Sequence, residues 1–120
     1  MSILKIAMIG TGYVGLVTGT CFAETGNDVI CVDVNEKKIS ELTAGHIPIY
    51  EPNLSDMVKN NYARGNLAFT TDIKEALNKA NICFIAVGTP MGEDGSADLQ
   101  YVLAAAHEIG RYMSHDMYVV

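Results

Sequence analysis

Short apolar runs alternate along the chain with stretches in which apolar residues recur every three or four positions. The runs Ile3–Ile9, Val29–Asp33, Leu67–Thr70, Ile82–Val87 and Met117–Val120 read as strands. The intervening spacing predicts five helices. The first runs over Val14–Thr25 and is closed by Gly26. The second is capped by Asn35, extends through Ala44 and is stopped by Gly45. The third is capped by Asn53 and reaches Ala63. The fourth begins at a capping box, Asp72 with Glu75, and reaches Lys79. The fifth covers Leu99–Met113, with Leu99, Val102, Leu103, Ala106, Ile109 and Met113 as its apolar positions. His46–Pro52 and Gly88–Ser96 read as loops.

Strands separated by helices imply parallel pairing through right-handed crossovers. Strands covered on both faces should be apolar throughout, and Ile82–Val87 is. The expected architecture is a doubly wound α/β sheet with strand order 3-2-1-4-5. The last run ends with the chain, in the fifth strand, so a longer protein is expected, of which residues 1–120 form an incomplete domain.

The turn after the first strand carries the chemistry. Gly10, Gly12 and Gly15 form G-x-G-x-x-G between a strand and a helix, inside one βαβ unit. Alone the pattern is weak. Its position, with Asp33 ending the next strand 18 positions after Gly15, near the expected spacing of about 20, makes it a dinucleotide fingerprint and the sheet a Rossmann-type one. Gly10 permits the tight turn, Gly12 lets a pyrophosphate approach the backbone, and Gly15 lets the helix pack closely. The free amides of Tyr13 and Val14 face the anion, with the helix dipole behind them. The Asp33 carboxylate accepts from the adenosine ribose hydroxyls and repels a 2′-phosphate, which favours NAD over NADP. Lys38 reads either as a neighbour of the adenosine or as a solvated lysine. In the expected strand order the loop holding Thr89 and Pro90 opens into the same crevice, where Thr89 stands beside the cofactor ribose or simply in a turn. A glycine turn with no ligand and an S-adenosylmethionine site are the competing readings. The second lacks a pyrophosphate and more often shows G-x-G-x-G.

Charge and composition narrow the partners. The formal net charge is −6 and the eight Lys and Arg residues form no stripe, which argues against nucleic acid. No run approaches the roughly 20 apolar residues of a membrane helix, and nothing at the N-terminus resembles a signal peptide, so a cytoplasmic protein is expected. Cys21, Cys31 and Cys83 lie in apolar segments without ligand spacing and read as reduced core residues. His46, His107 and His115 stand far apart, so no metal site is expected.

The segments IGTGYVGLVTGTCFAETGNDVICVDVNEKKI, PIYEPNL, VGTP and DGSADLQYV, in this order, resemble the UDP-glucose 6-dehydrogenases within the wider UDP-glucose/GDP-mannose dehydrogenase group. The likeness covers essentially the whole chain. It implies a two-step, NAD-dependent oxidation of the C6 alcohol of UDP-glucose to UDP-glucuronate, supplying polysaccharide synthesis. It implies NAD contacts at Val14, Asp33, Lys38 and Thr89, with the Gly10–Gly15 turn under the pyrophosphate. The family's catalytic cysteine and its helpers match segments beyond Val120, so no catalytic residue is expected here and the piece alone should be inactive. The resemblance also implies a homo-oligomeric full-length protein. A GDP-mannose enzyme and a non-catalytic nucleotide-sensing module stay open as alternatives. One departure is visible: relatives commonly read E-P-G-L where this chain has Glu51-Pro52-Asn53-Leu54. The roles of Tyr50 and Glu51 are left open.

Overall fold

The structure, a computed structural model, describes residues 3–48, 51–88 and 99–120. Strand β1 (Lys5–Ile9) lies at the centre of the sheet and pairs in parallel with β2 (Asp28–Val32) and β4 (Ile82–Ile85). Met8 stands opposite Cys31 on one side and Phe84 on the other. Strand β3 (Leu67–Thr70) extends the sheet beyond β2, and β5 (Tyr118–Val119) extends it beyond β4. The order β3-β2-β1-β4-β5 is the one expected from the sequence.

Helices cover both faces. Helices α1 (Tyr13–Glu24) and α3 (Leu54–Arg64) pack on one face, where Met8, Leu16, Val29, Leu54 and Val58 are buried together. Helix α2 (Glu36–Thr43) adds Leu42 to that layer. Helices α4 (Ile73–Lys79) and α5 (Gln100–Tyr112) cover the other face, where Leu77 of α4 is buried with Ala7, Ile9, Val32 and Cys83 of the sheet. The alternation along β1 decides this division: Ile6 and Met8 point one way, Ala7 and Ile9 the other, and all four are buried. Without a polar face, β1 can sit only between two layers.

Several boundaries differ from the sequence expectation for identifiable reasons. Ile3 and Leu4 lie outside β1, and the Leu4 amide donates to the Asn27 side chain. Strand β4 stops two residues early, although the Ala86 amide still donates to the Ile9 carbonyl, 2.8 Å away. Asn35 caps α2 as expected, its Oδ1 accepting the Lys38 amide at 3.1 Å. Asp72 likewise accepts the amides of Lys74 and Glu75. Glu75 does not complete the box, since its carboxylate takes the Thr70 hydroxyl and Thr70 takes the Asp72 amide. Asn53 makes no side-chain cap. It precedes α3 in the left-handed region at φ 66, a conformation glycine adopts freely, which accounts for the E-P-G-L pattern. On α5 the inward face is Ala105, Ile109 and Tyr112; of the expected stripe Ile109 is buried and Val102 half-buried, whereas Leu103 is 67% exposed. Ala105 and Ile109 share one apolar cluster with Ala76 and Ala80 at α4.

Candidate functional site

The carboxyl ends of β1, β2 and β4 open into one cleft of about 820 Å³, walled in part by Gly10, Gly12, Asp33, Lys38, Val87 and Tyr101. The glycine turn forms its floor. Gly10 leaves β1 at φ +110 and donates its amide to the Val32 carbonyl, 2.7 Å away. That bond ties the end of β1 to the end of β2. A Cβ on Gly10 would meet the Ala86 carbonyl oxygen at 2.5 Å, and one on Gly15 would meet the Gly10 carbonyl oxygen at 2.0 Å. Both positions require glycine, but for packing between the turn, β4 and α1. Gly12 is different. A Cβ there would meet nothing within 4 Å. Its missing side chain leaves open space rather than relieving a clash.

Gly12 is also the N-cap of α1, and no side chain caps this end. No acidic residue stands in the first turn. The amides at the start of the helix, Tyr13 and Val14 among them, therefore have no intrahelical acceptor, and the first turn itself carries no carboxylate. This arrangement suits an anion. The side chains of Tyr13 and Val14 are exposed, and they are not among the walls of the cleft. Gly15 is buried beneath the turn.

Asp33 follows β2 directly and stands at the cleft mouth. Its Oδ1 accepts the Asn35 amide at 3.0 Å. Its Oδ2 accepts both the Thr11 amide at 3.1 Å and the Thr11 hydroxyl at 2.8 Å. The Lys38 ammonium lies 3.9 Å from Oδ2. Partial burial alone would raise the Asp33 pKa. The Asn35 amide, the two Thr11 donors and the Lys38 charge outweigh it and hold the carboxyl below its usual range, so Asp33 is ionised at neutral pH.

Gly10, Gly12, Asp33 and Lys38 thus meet in one cleft, and Thr89 lies outside the described residues. Two relationships were not read from the sequence. Thr11 grips Asp33, and the Tyr13 hydroxyl donates to Glu51, the latter holding the Tyr13 phenol above its usual pKa. A hydroxyl between two glycines has no periodic signature. The only sequence signal for Thr11 was a polar side chain in a turn otherwise made of glycine. Tyr50 lies outside the described residues.

Residues 4–120 match the model of the UDP-glucose/GDP-mannose dehydrogenase family, NAD binding domain. The chain is 57% identical over 92% of its length to a UDP-glucose 6-dehydrogenase of Bacillus subtilis, covering 24% of that protein. It is 58% identical over 88% of its length to a UDP-glucose 6-dehydrogenase of Rhizobium meliloti, again covering 24% of it. The fold superposes with TM-score 0.91 and 38% identity on a GDP-mannose dehydrogenase of Pseudomonas aeruginosa solved as a ternary complex, covering 97% of this chain and 27% of that one. The chain therefore spans about a quarter of the length of these proteins.

Proposed function

We propose a role in nucleotide-sugar oxidation, because this chain belongs to the UDP-glucose/GDP-mannose dehydrogenase family as its NAD-binding domain. The full-length protein oxidises the C6 alcohol of UDP-glucose to UDP-glucuronate, and residues 1–120 hold the NAD. The greater identity to the UDP-glucose enzymes than to the GDP-mannose enzyme supports this choice of sugar nucleotide.

One observation carries the cofactor assignment: an ionised carboxylate, Asp33, stands at the mouth of a cleft whose floor is the open, uncapped turn at Gly12. These residues fit a dinucleotide. The pyrophosphate would rest against Gly10, Gly12 and the amides of Tyr13 and Val14. Asp33 would take the adenosine ribose, with Lys38 beside it and Thr89 completing the site. When bound, NAD supplies the hydride acceptor. What this chain does is bind and orient: it offers backbone donors to the anion and a fixed carboxylate to the sugar. The family resemblance places the nucleophile in segments outside these residues; the buried Cys31 and Cys83 thiols, pushed up to about 12 and about 11, stay protonated at neutral pH. It also places the protein in the cytoplasm as a homo-oligomer. Among the described residues no helix is long and apolar enough to cross a membrane.

Incubating the full-length protein with NAD⁺ and either UDP-glucose or GDP-mannose tests this. NADH formation with UDP-glucuronate as product is expected. Turnover of GDP-mannose with UDP-glucose untouched would overturn the choice of substrate.

A further inference from the structure

We propose that Thr11 is a positioning residue for the ribose-reading carboxylate, its buried hydroxyl holding Asp33 in the orientation that favours NAD over NADP. The proposal rests on the reading of Asp33 as the group that takes the adenosine ribose.

Thr11 is 1% exposed, so its hydroxyl has been withdrawn from water and must find a partner within the fold. The partner it finds is Asp33 Oδ2, at 2.8 Å. The backbone amide of the same residue donates to the same oxygen at 3.1 Å. Two donors fill about as many bonds as one carboxylate oxygen takes. Oδ2 is thereby the anchored end of the side chain, and Oδ1, which accepts the Asn35 amide, is the end left to engage a ligand.

Two backbone amides hold the carboxylate by one contact on each oxygen, Thr11 on Oδ2 and Asn35 on Oδ1. The terminal torsion of an aspartate is broad, and a ligand that engages Oδ1 competes with the Asn35 contact and leaves the Thr11 amide as the main tether. The Thr11 hydroxyl, the shortest of the three contacts at 2.8 Å, gives Oδ2 a second anchor that does not depend on Oδ1. Lys38, at 3.9 Å and partly exposed, is a looser restraint. The consequence falls on cofactor choice. A 2′-phosphate beside Asp33 sets like charges together, and the cheapest relief is rotation of the carboxylate away from it. The Thr11 hydroxyl opposes that rotation. It therefore strengthens NAD binding by preorganising the acceptor, and weakens NADP binding by denying the escape.

Substituting Thr11→Val keeps the shape and the backbone amide and deletes only the hydroxyl. Thr11→Ser restores the hydroxyl. Calorimetric titration of the full-length protein with NAD⁺ and with NADP⁺, beside Asp33→Asn, separates the possibilities. Thr11→Val is expected to weaken NAD⁺ roughly tenfold, the scale of one charge-assisted hydrogen bond, and to narrow the preference over NADP⁺. Thr11→Ser should stay within about twofold of the parent protein on the same scale. The Asp33 carboxyl carbon, followed by NMR, should titrate at higher pH in Thr11→Val than in Thr11→Ser. If Thr11→Val does not fold, Thr11→Ala removes the same hydroxyl with less bulk. Equal losses in the valine and serine variants would overturn the proposal. So would an unchanged valine variant alongside a weakened Asp33→Asn, which would leave the role of Asp33 standing. NAD⁺ binding by Asp33→Asn at parental strength would overturn the role of Asp33 itself, and that of Thr11 with it.

Discussion

A Cβ placed on Gly15 would stand 2.0 Å from the carbonyl oxygen of Gly10, so helix α1 begins in direct backbone contact with the turn it follows. Nothing flexible can give way there, since the nearest atoms belong to the backbone. Gly15→Ala should destabilise the fold by about 3 kcal/mol or more, at the upper end of overpacking costs. Gly12→Ala should separate stability from binding. Its Cβ meets open space, and the change at the cap should cost no more than about 1 kcal/mol. NAD⁺ affinity should nevertheless fall at least about tenfold, because the methyl fills the approach to the backbone. Thermal unfolding and calorimetry on the two variants check this pair.

Asp33 should leave a mark on acid stability. Its pKa in the fold is lowered below the ordinary 3.8. The ionised form therefore favours the folded state: the stabilisation is complete above the ordinary pKa and is lost as pH falls through the lower, folded value. Asp33→Asn should narrow the stability gap between about pH 5 and about pH 2, a comparison that cancels the contribution of the other carboxylates. Unfolding midpoints measured at several pH values in both proteins provide the check. Above about pH 5 the charge of Asp33 should contribute no pH dependence to NAD⁺ affinity.

The cysteines should differ sharply in reactivity. Cys21 is exposed on α1, whereas Cys31 and Cys83 are buried, their thiols raised to about 12 and about 11 by loss of solvent. Iodoacetamide at neutral pH should label Cys21 in the folded protein and reach the other two only in denaturant. Peptide mapping reads the outcome. Early labelling of Cys83 would mean that the α4–α5 layer opens readily.

Asn53 offers a test of backbone strain. At φ 66 a residue with a Cβ is disfavoured, and asparagine tolerates the position better than most. Asn53→Gly should be neutral or slightly stabilising. Asn53→Ala should cost about 1 kcal/mol, measured as a shift in the denaturation midpoint.

The strand order and the glycine turn were legible because each rests on a strong local pattern. Strands apolar on both faces can only be central, and G-x-G-x-x-G followed by Asp33 has a spacing few other structures impose. What escaped lay in relationships between segments. Asn53 carries a side chain suited to capping, yet its backbone conformation decides its place. The large residues of α5 suggested a stripe of which Ile109 is buried, but the sheet takes Ala105 beside it and leaves Leu103 exposed. Thr11 and Asp33 lie 22 positions apart, and only the register of β1 on β2 brings them together.

The most direct test of the central claim is calorimetric titration of the protein with NAD⁺ and NADP⁺, repeated on Asp33→Ala. NAD⁺ binding that exceeds NADP⁺ binding, with the difference largely lost in the variant, is the expected result. Preference for NADP⁺, or NAD⁺ affinity unchanged in Asp33→Ala, would contradict the account.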